Sequence, residues 1–203
     1  DNLPDQFLQA VFEGDETVVF TSGSPTNATV GTPSVHTVTI IDNEPTPTVR
    51  FATSTSGNPE NVTSTAITIE LSVGSTLPVA VDYAASGGTA TPGADFSLPA
   101  GTATIPAGAT STAITMLVVD DTLSEANETV AVLLSNAVNA ALGVPSTHTY
   151  TIADNDPLPA LSVGDANVVE GNTGTVGALF AVTLTPASGQ VVTVGYSTAD
   201  GTA

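Results

Sequence analysis

The chain lacks cysteine and tryptophan and has almost no positive charge. Its 203 residues include Asp+Glu 20 but Lys+Arg only 1, so the formal net charge is -19. Arg50 is the one cationic side chain besides two histidines. Because phosphate binding needs clustered lysines or arginines, the composition excludes a nucleic-acid partner, and the same argument excludes docking on anionic membranes.

These absences also limit the chemistry that the chain can perform. Without cysteine there is no disulfide framework, no thiolate metal site and no cysteine nucleophile. Nothing in the sequence around His36 or His148 marks a catalytic triad, and an aromatic content of 4% offers little to line a carbohydrate cleft. No apolar run approaches the roughly 18 residues of a membrane span. We therefore expect neither an enzyme nor direct membrane insertion.

An internal repeat organises the chain. Residues 31–45 recur as residues 143–157, with Pro-Ser-x-His-Thr in both copies and His36 and His148 in the same place, 112 residues apart. A second motif recurs around Tyr83 and Tyr196. The repeat predicts one complete unit over residues 45–156. It is flanked by the C-terminal part of a unit (1–44) and the N-terminal part of another (157–203).

Apolar residues in the complete unit alternate with threonine and small polar residues, with a period of two. This pattern is typical of strands with one face in a core and one in water. Hydrophobic residues make up 41% of the chain, enough to bury a core. The pattern predicts an all-β fold of tandem, seven-stranded, immunoglobulin-like antiparallel β-sandwiches. The predicted strands are A (48–54), B (65–73), C (79–85), D (100–105), E (112–119), F (129–135) and G (146–153).

The acidic residues of the complete unit are unevenly distributed. If successive strands alternate in direction, the segments that follow strands A, C, E and G meet at one end of the sandwich. Glu70 and Asp82 lie inside strands, and the segments after B, D and F carry no acid. All the others fall at the first end, which we call the acidic end: Glu60, Asp95, Asp120, Asp121, Glu125, Glu128, Asp154 and Asp156.

Eight carboxylates at one end repel one another unless a cation neutralises them. Calcium takes about six to eight oxygen ligands in irregular shells that loops can supply. The lack of cysteine and the scarcity of histidine argue against zinc or copper, and magnesium demands a tighter octahedron. The sequence therefore predicts that these eight residues bind Ca²⁺. The alternative is that acidic loops only keep an extracellular protein soluble.

The acidic motifs resemble the Calx-beta repeat of sodium-calcium exchangers, integrin beta-4 and many bacterial surface proteins. The resemblance lies in residues 120–129, the closing segment 142–156 and the middle motif 83–96, and it extends into both partial units. It implies a seven-stranded sandwich with calcium at one end, held by the same eight residues. Asn155 and Thr122 replace acids of the exchanger, which implies fewer or weaker calcium ions. Similar positions in the partial units are Glu13, Glu16, Asp42, Glu44 and Glu170.

The expected function is mechanical. The chain leaves each unit at its acidic end, so calcium and the proline-containing linkers at 44–47 and 156–159 would stiffen the junction with the next unit. We expect an extracellular or bacterial cell-surface rod whose partners are neighbouring repeats, or copies of itself joined end to end into a filament. In the filament, the strands of 157–203 would be completed by those of 1–44. An adhesin stalk and a calcium sensor are alternatives, and so is a fragment of a longer array.

Overall fold

A computed structural model describes residues 11–202 of the chain. These residues form β-strands and no helix, as the period-two pattern predicted, so no helix among them could cross a membrane. The strands are β1 (Glu16–Thr21), β2 (Val35–Ile40), β3 (Thr48–Phe51), β4 (Thr55–Pro59), β5 (Ser64–Leu71), β6 (Val79–Gly88), β7 (Phe96–Ser97), β8 (Gly101–Ile105), β9 (Ser111–Val118), β10 (Glu128–Val138), β11 (Ala141–Leu142), β12 (Thr147–Ala153), β13 (Ala160–Val163) and β14 (Val182–Thr185).

The complete unit folds as a sandwich of two five-stranded sheets. One sheet has the order β4-β12-β10-β6-β8, and the other has the order β11-β3-β5-β9-β7. The predicted strands A to G correspond to β3, β5, β6, β8, β9, β10 and β12, so the all-β, immunoglobulin-like sandwich is confirmed. Two pairings are parallel rather than antiparallel, β4 with β12 and β11 with β3.

The first strand is divided between the two sheets, which the sequence did not predict. β3 pairs with β5, and the chain then crosses to the other sheet, where β4 adds to the edge of β12. β4 has no apolar alternation and is exposed along its length, so hydrogen bonds to β12 define it rather than buried apolar side chains. Gly57 allows this close approach, because a Cβ there would lie 2.7 Å from the carbonyl oxygen of Thr151.

The core lies between the two sheets and consists of the inward-facing residues of each strand. In β5, Ile67, Ile69 and Leu71 are buried, while Thr68 between them is exposed. The alternation in the sequence therefore corresponds directly to the two faces of the sheet. The largest fully buried hydrophobic side chains are Tyr150, Phe51, Ile69, Ile105, Met116 and Leu134.

His148 is part of this core and has a structural role. It is 1% exposed and packs against Phe51. Its Nδ1 lies 2.8 Å from the carbonyl oxygen of Thr53 and its Nε2 lies 2.8 Å from Ser56 Oγ. Because a carbonyl oxygen only accepts, Nδ1 donates to Thr53 and Nε2 accepts from Ser56. From β12, the histidine thus holds both the crossover, at Thr53, and β4, at Ser56.

The two partial units contain shorter sheets. β1 pairs with β2 in the register of β10 with β12, since Glu16 lies opposite Ile40 as Glu128 lies opposite Ile152. β13 pairs with β14, the counterparts of strands A and B. The expected strand C of this unit is not formed within the described residues 191–202. In the complete unit, β10 and β8 hold that strand on both sides, and 157–202 contains no counterpart of either.

The packing predicts a sharp contrast between two adjacent leucines of β10. Leu134 is 2% exposed and Leu133 is 41% exposed. We expect Leu134→Ala to lower the free energy of unfolding by about 2–5 kcal/mol, because it removes core contacts and leaves a cavity. Leu133→Ala, the matched control, should cost less than about 1 kcal/mol. Urea unfolding of both variants measures this, and equal costs would contradict the assignment of the two faces.

Candidate metal centre

The structure brings most of the predicted acidic residues together at one end of the sandwich. Glu60 follows β4, and its backbone N–H donates to the carbonyl of Ala153 at the end of β12 (3.0 Å). Asp95 precedes β7, and its carbonyl accepts from the N–H of Val119 after β9 (2.9 Å). Backbone bonds between neighbouring strand ends therefore hold the segments that bear the carboxylates.

The first carboxylate group consists of Glu60, Asp154 and Asp156. One oxygen from each lies within 4.8 Å of the other two. The backbone and side-chain nitrogens of Asn155 donate to Glu60 Oε1 at 3.5 and 3.3 Å. Asp154 Oδ1 and Asp156 Oδ2 are buried and have no hydrogen-bond partner within the described part of the chain. Such orphaned acceptors are costly unless a donor or a cation occupies the space beside them.

The second carboxylate group consists of Asp95, Glu125 and Glu128, whose oxygens also lie within 4.8 Å of one another. Asp95 Oδ2 accepts from the N–H of Thr91 at 2.5 Å, which holds its carboxylate over the loop after β6. Glu128 is the first residue of β10, and Glu125 lies in the loop before it. Among residues 11–202, no third group of this kind occurs.

Both groups face one small polar cavity. It is lined by carboxylates from each group, together with Asp121, whose Oδ1 accepts from the N–H of Leu123 at 2.7 Å. Asp120 is exposed and belongs to neither group, nor does it line the cavity. Of the eight residues predicted from the sequence, six form the two groups and Asp121 stands beside them.

The electrostatics of the cavity disfavour a full set of negative charges. Burial, followed by contact with Asp156, raises the pKa of Glu60 to about 7. Burial, followed by contact with Asp95, raises the pKa of Glu128 to about 7. The pKa of Glu125 is raised by burial and by the charge of Asp121. Without a cation, protons are the only means of relieving this repulsion.

No arginine or lysine reaches the cavity, because the single basic side chain of the sequence is engaged elsewhere. Arg50 pairs with Glu70 at 2.9 Å across β3 and β5. The donor set at the acidic end is therefore oxygen only: carboxylates, two of which have orphaned buried oxygens, and the adjacent amides. Such a set fits a hard divalent cation such as calcium, and it does not fit a metal that prefers sulfur or imidazole.

Two asparagines that were not among the residues predicted from the sequence support the site. Asn155 donates to Glu60, and Asn127 Oδ1 accepts from the N–H of Asp154 at 3.2 Å, which joins the loop before β10 to the end of β12. The family resemblance treats Asn155 only as the replacement of an acid, and Asn127 is the first residue of an Asn-Glu-Thr glycosylation sequon. Their position between acids of the same motif was the available signal.

The N-terminal partial unit repeats part of this arrangement. Asp42 Oδ2 accepts from the N–H groups of Glu13 and Gly14 at 3.2 and 2.9 Å, and the N–H of Asp42 donates to Asp15 Oδ1 at 3.0 Å. The bond from Gly14 is the main cause that lowers the pKa of Asp42. Contact with Asp42 raises the pKa of Glu44. Here the aspartate is engaged by backbone amides.

Comparison with known proteins agrees with the fold and with the repeat. The model of the Calx-beta domain matches residues 42–156 and 160–203. No curated protein sequence matches the chain significantly.

Solved structures give a consistent similarity. The apo form of the Calx CBD1 domain has 25% sequence identity and a TM-score of 0.53, and the match covers 55% of this chain and 100% of that domain. The calcium binding domain CBD12 of CALX1.1 has 25% identity and a TM-score of 0.52, over 55% of this chain and 47% of that one. CBD12 from CALX1.2 has 24% identity and a TM-score of 0.50, over 56% and 48%. This chain thus spans about half the length of the two CBD12 proteins.

The raised pKa values predict how the metal-free protein responds to pH. The folded state keeps protons on Glu60 and Glu128 up to a pKa of about 7, whereas the unfolded chain releases them near the ordinary value of 4.5. The stability associated with these protons is complete below pH 4.5 and is lost as pH rises through 7. We therefore expect the melting temperature in chelator to fall between pH 5 and pH 8.

Glu128→Gln tests the cause, because the amide cannot ionise and should flatten part of that fall. Thermal melts followed by circular dichroism at each pH measure it. Asp82→Asn serves as the control, since the pKa of Asp82 is lowered by hydrogen bonds from Thr102 and Asn136 and does not titrate in this range. A melting temperature that rises from pH 5 to pH 8 would contradict the electrostatic account.

Proposed function

The chain belongs to the Calx-beta domain family, and we propose that its central repeat binds calcium through the two carboxylate groups of its acidic end. The observation that carries the proposal is the pair of buried, unpartnered oxygens on Asp154 and Asp156, set beside four further carboxylates with no basic residue near them. The calcium binding domain CBD12 of CALX1.1 shares the fold and supports the choice of ion.

Glu60, Asp154 and Asp156 would hold one ion, and Asp95, Glu125 and Glu128 would hold another, with Asp121 beside them. Asp120, which the sequence also assigned to calcium, has no place in either group. The ion supplies positive charge and shared oxygen coordination. The residues of the chain provide the rest: four separate segments, which follow β4, β6, β9 and β12, are drawn to one point.

We propose that the consequence is mechanical rather than catalytic. The chain leaves the central repeat at Asp156 and continues through Pro157 and Pro159 into β13. Bound calcium would hold the exit segment against the loop before β10, and its loss would leave a set of repelling charges at the same place. The function that follows is a rod of tandem repeats with calcium-dependent stiffness.

The proposed location is extracellular, on a cell surface of bacterial type. Extracellular calcium modules bind at roughly 10⁻⁴ to 10⁻³ M, matched to the calcium outside cells. Two groups with three carboxylates each and exposed loops suit that range better than a tight intracellular buffer. The stalk of an adhesin would use the same repeat to present a separate binding domain. A calcium sensor would instead change shape over a narrow range of calcium.

Calcium should stabilise the folded chain. At a concentration 100 times Kd, each site adds about 2.7 kcal/mol to the free energy of unfolding. We expect Asp154→Asn and Glu128→Gln to bind calcium about tenfold more weakly or worse, because each removes one charge from one group. Asp82→Asn, which removes the same charge from β6, should respond as the unaltered chain does.

Thermal melting in calcium and in chelator measures these responses, each variant being compared with its own metal-free form. If chelator leaves the melting temperature of the unaltered chain unchanged, the calcium proposal is wrong. The assignment to these residues would fail if Asp154→Asn and Asp82→Asn showed equal calcium shifts.

Stiffening makes a separate prediction about shape. Small-angle X-ray scattering of the full chain should show a narrower, more extended distribution of particle dimensions in calcium than in chelator, because the ions hold the exit segment of the central repeat at its junction with the next unit. Magnesium at equal ionic strength is the control for general charge screening. Identical scattering curves in calcium and chelator, accompanied by a calcium-dependent melting shift, would mean that calcium stabilises the repeat without stiffening the rod.

Filament formation is a second candidate, favoured by the apolar surfaces of the partial units. Phe20 on β1 is 64% exposed, and Phe180 and Tyr196 beside β13 and β14 are 57% and 95% exposed. In the central repeat the equivalent strands bury such side chains against each other. We propose that β1 and β2 of one copy cover β13 and β14 of the next, which joins copies head to tail.

Light scattering tests this second candidate. Concentration-dependent growth of the particle mass, suppressed by Phe180→Ser, would support head-to-tail joining. Leu158→Ser is the control, because Leu158 is 85% exposed and lies in the linker. Soluble monomers at low micromolar concentration would refute self-assembly of this chain and leave the tandem rod in place.

A further inference from the structure

The same contact occurs at both junctions between units. Phe12, in the loop before β1, forms a parallel bridge with Ser75, in the loop between β5 and β6. Ser124, in the loop before β10, forms a parallel bridge with Ser188, in the loop after β14. Ser124 follows Phe12 by 112 residues and Ser188 follows Ser75 by 113, so the two contacts are equivalent in the repeat.

The hydrogen bonds of the two junctions also correspond. The N–H of Thr76 donates to the carbonyl of Phe12 at 3.0 Å, and the N–H of Gly189 donates to the carbonyl of Ser124 at 3.2 Å. A hydroxyl donates to the same carbonyl in each case, from Thr76 at 3.4 Å and from Ser188 at 3.3 Å. At each junction, one carbonyl in the loop before β1 or β10 thus receives two hydrogen-bond donors from the following unit.

A serine shapes the receiving loop at both junctions. Ser75 Oγ accepts from the N–H of Leu77 at 3.0 Å, and Ser188 Oγ accepts from the N–H of Gln190 at 3.1 Å. This bond to the residue two positions ahead forms a local turn that directs the intervening N–H toward the preceding unit. Ser75 is 1% exposed, so it is a buried part of the junction.

The second junction also touches the candidate metal centre. A Cβ added to Gly189 would overlap the carboxylate of Glu125, and would lie 2.8 Å from its Cγ and 2.9 Å from its Cδ. The backbone of Gly189 is outside the left-handed region, so only this contact opposes a side chain. At the first junction the positions equivalent to Gly189 and Glu125 hold Thr76 and Glu13. A side chain at position 189 is therefore excluded by the Glu125 side chain and not by the close approach of the two backbones.

We propose that the loop between strands B and C of each repeat, which are β5 and β6 in the central repeat, is a docking surface. It receives the loop before β1 or β10 of the preceding repeat, which we call the acidic loop. In the last repeat, Gly189 of this surface keeps Glu125 in place beside Asp95 and Glu128. Ser75 and Ser188 are the positioning residues of this surface. The following repeat therefore forms one side of the second carboxylate group of the central repeat. Docking and calcium binding then strengthen each other by the same factor. The calcium part of this proposal rests on the proposed function.

The test compares Gly189→Val with Gly195→Val in the full chain. Gly195 lies in the same unit with no atom within 4 Å of a Cβ built on it, so the same substitution there meets open space. We expect Gly189→Val to weaken calcium binding, measured by isothermal titration, by about five- to tenfold or more, because Glu125 must move away. Gly195→Val should bind as the unaltered chain does.

A second readout follows the junction itself and needs no metal. Since the chain has no native cysteine, Thr115→Cys on β9 and Thr175→Cys in the following unit allow spin labels at two exposed positions. Pulsed electron paramagnetic resonance then gives the distribution of distances between the two units. Gly189→Val and Ser188→Ala should broaden it, and the exposed Ser197→Ala, the control, should leave it unchanged.

The outcomes separate the two proposals. Equal distance distributions for Ser188→Ala and Ser197→Ala would overturn the docking surface, and equal calcium affinities for the two glycine variants would overturn the coupling. If the unaltered chain binds no calcium, the proposed function and the coupling both fail, and the distances measured in chelator still decide whether the docking surface exists.

Discussion

Mutual repulsion among partly buried carboxylates is the constraint on which the acidic end depends. Six acidic side chains converge from four segments of the chain, and the one basic residue of the sequence is paired with Glu70 elsewhere. Burial alone raises the free energy of the charged forms, and the neighbouring charges raise it further. A protein that keeps such an arrangement requires protons or a cation at that point. At neutral pH a calcium ion meets this requirement while every carboxylate stays ionised and able to bind it.

The candidate site also lies beside the contact with the following unit, where Gly189 approaches Glu125. A sandwich that the chain enters at one end and leaves at the other places its exit beside the carboxylate groups. The loop that carries Glu125 also carries Ser124, whose carbonyl receives two hydrogen bonds from the next unit. Neutralisation of the repelling charges and attachment of the next unit therefore act on the same loop. Under the proposed function, this arrangement gives a physical route from ion binding to the stiffness of the array.

Much of the fold could be predicted because β-strands expose their two faces alternately. The period-two pattern of β5, β9 and β10 corresponds to the buried and exposed positions observed. β4 was not predicted because it is exposed along its length and joins the sheet through hydrogen bonds rather than through buried apolar residues. Strand C of the last unit was predicted from the repeat, and it is not formed within the described residues, where its neighbouring strands have no counterpart. The period-two pattern indicates which residues can be buried, but a strand also needs a neighbouring strand to pair with.

For the site, the alternation of strand direction was enough to assign the acids to one end, because loops that follow every second strand must meet there. It could not separate Asp120, which lies outside the cavity, from Asp121, which lines it, since that difference depends on the turn of a single loop. Nor could it divide six carboxylates into two groups of three or bring Gly189 against Glu125. Those relations are distances between segments far apart in sequence, and only the packing of the two sheets and of the following unit determines them.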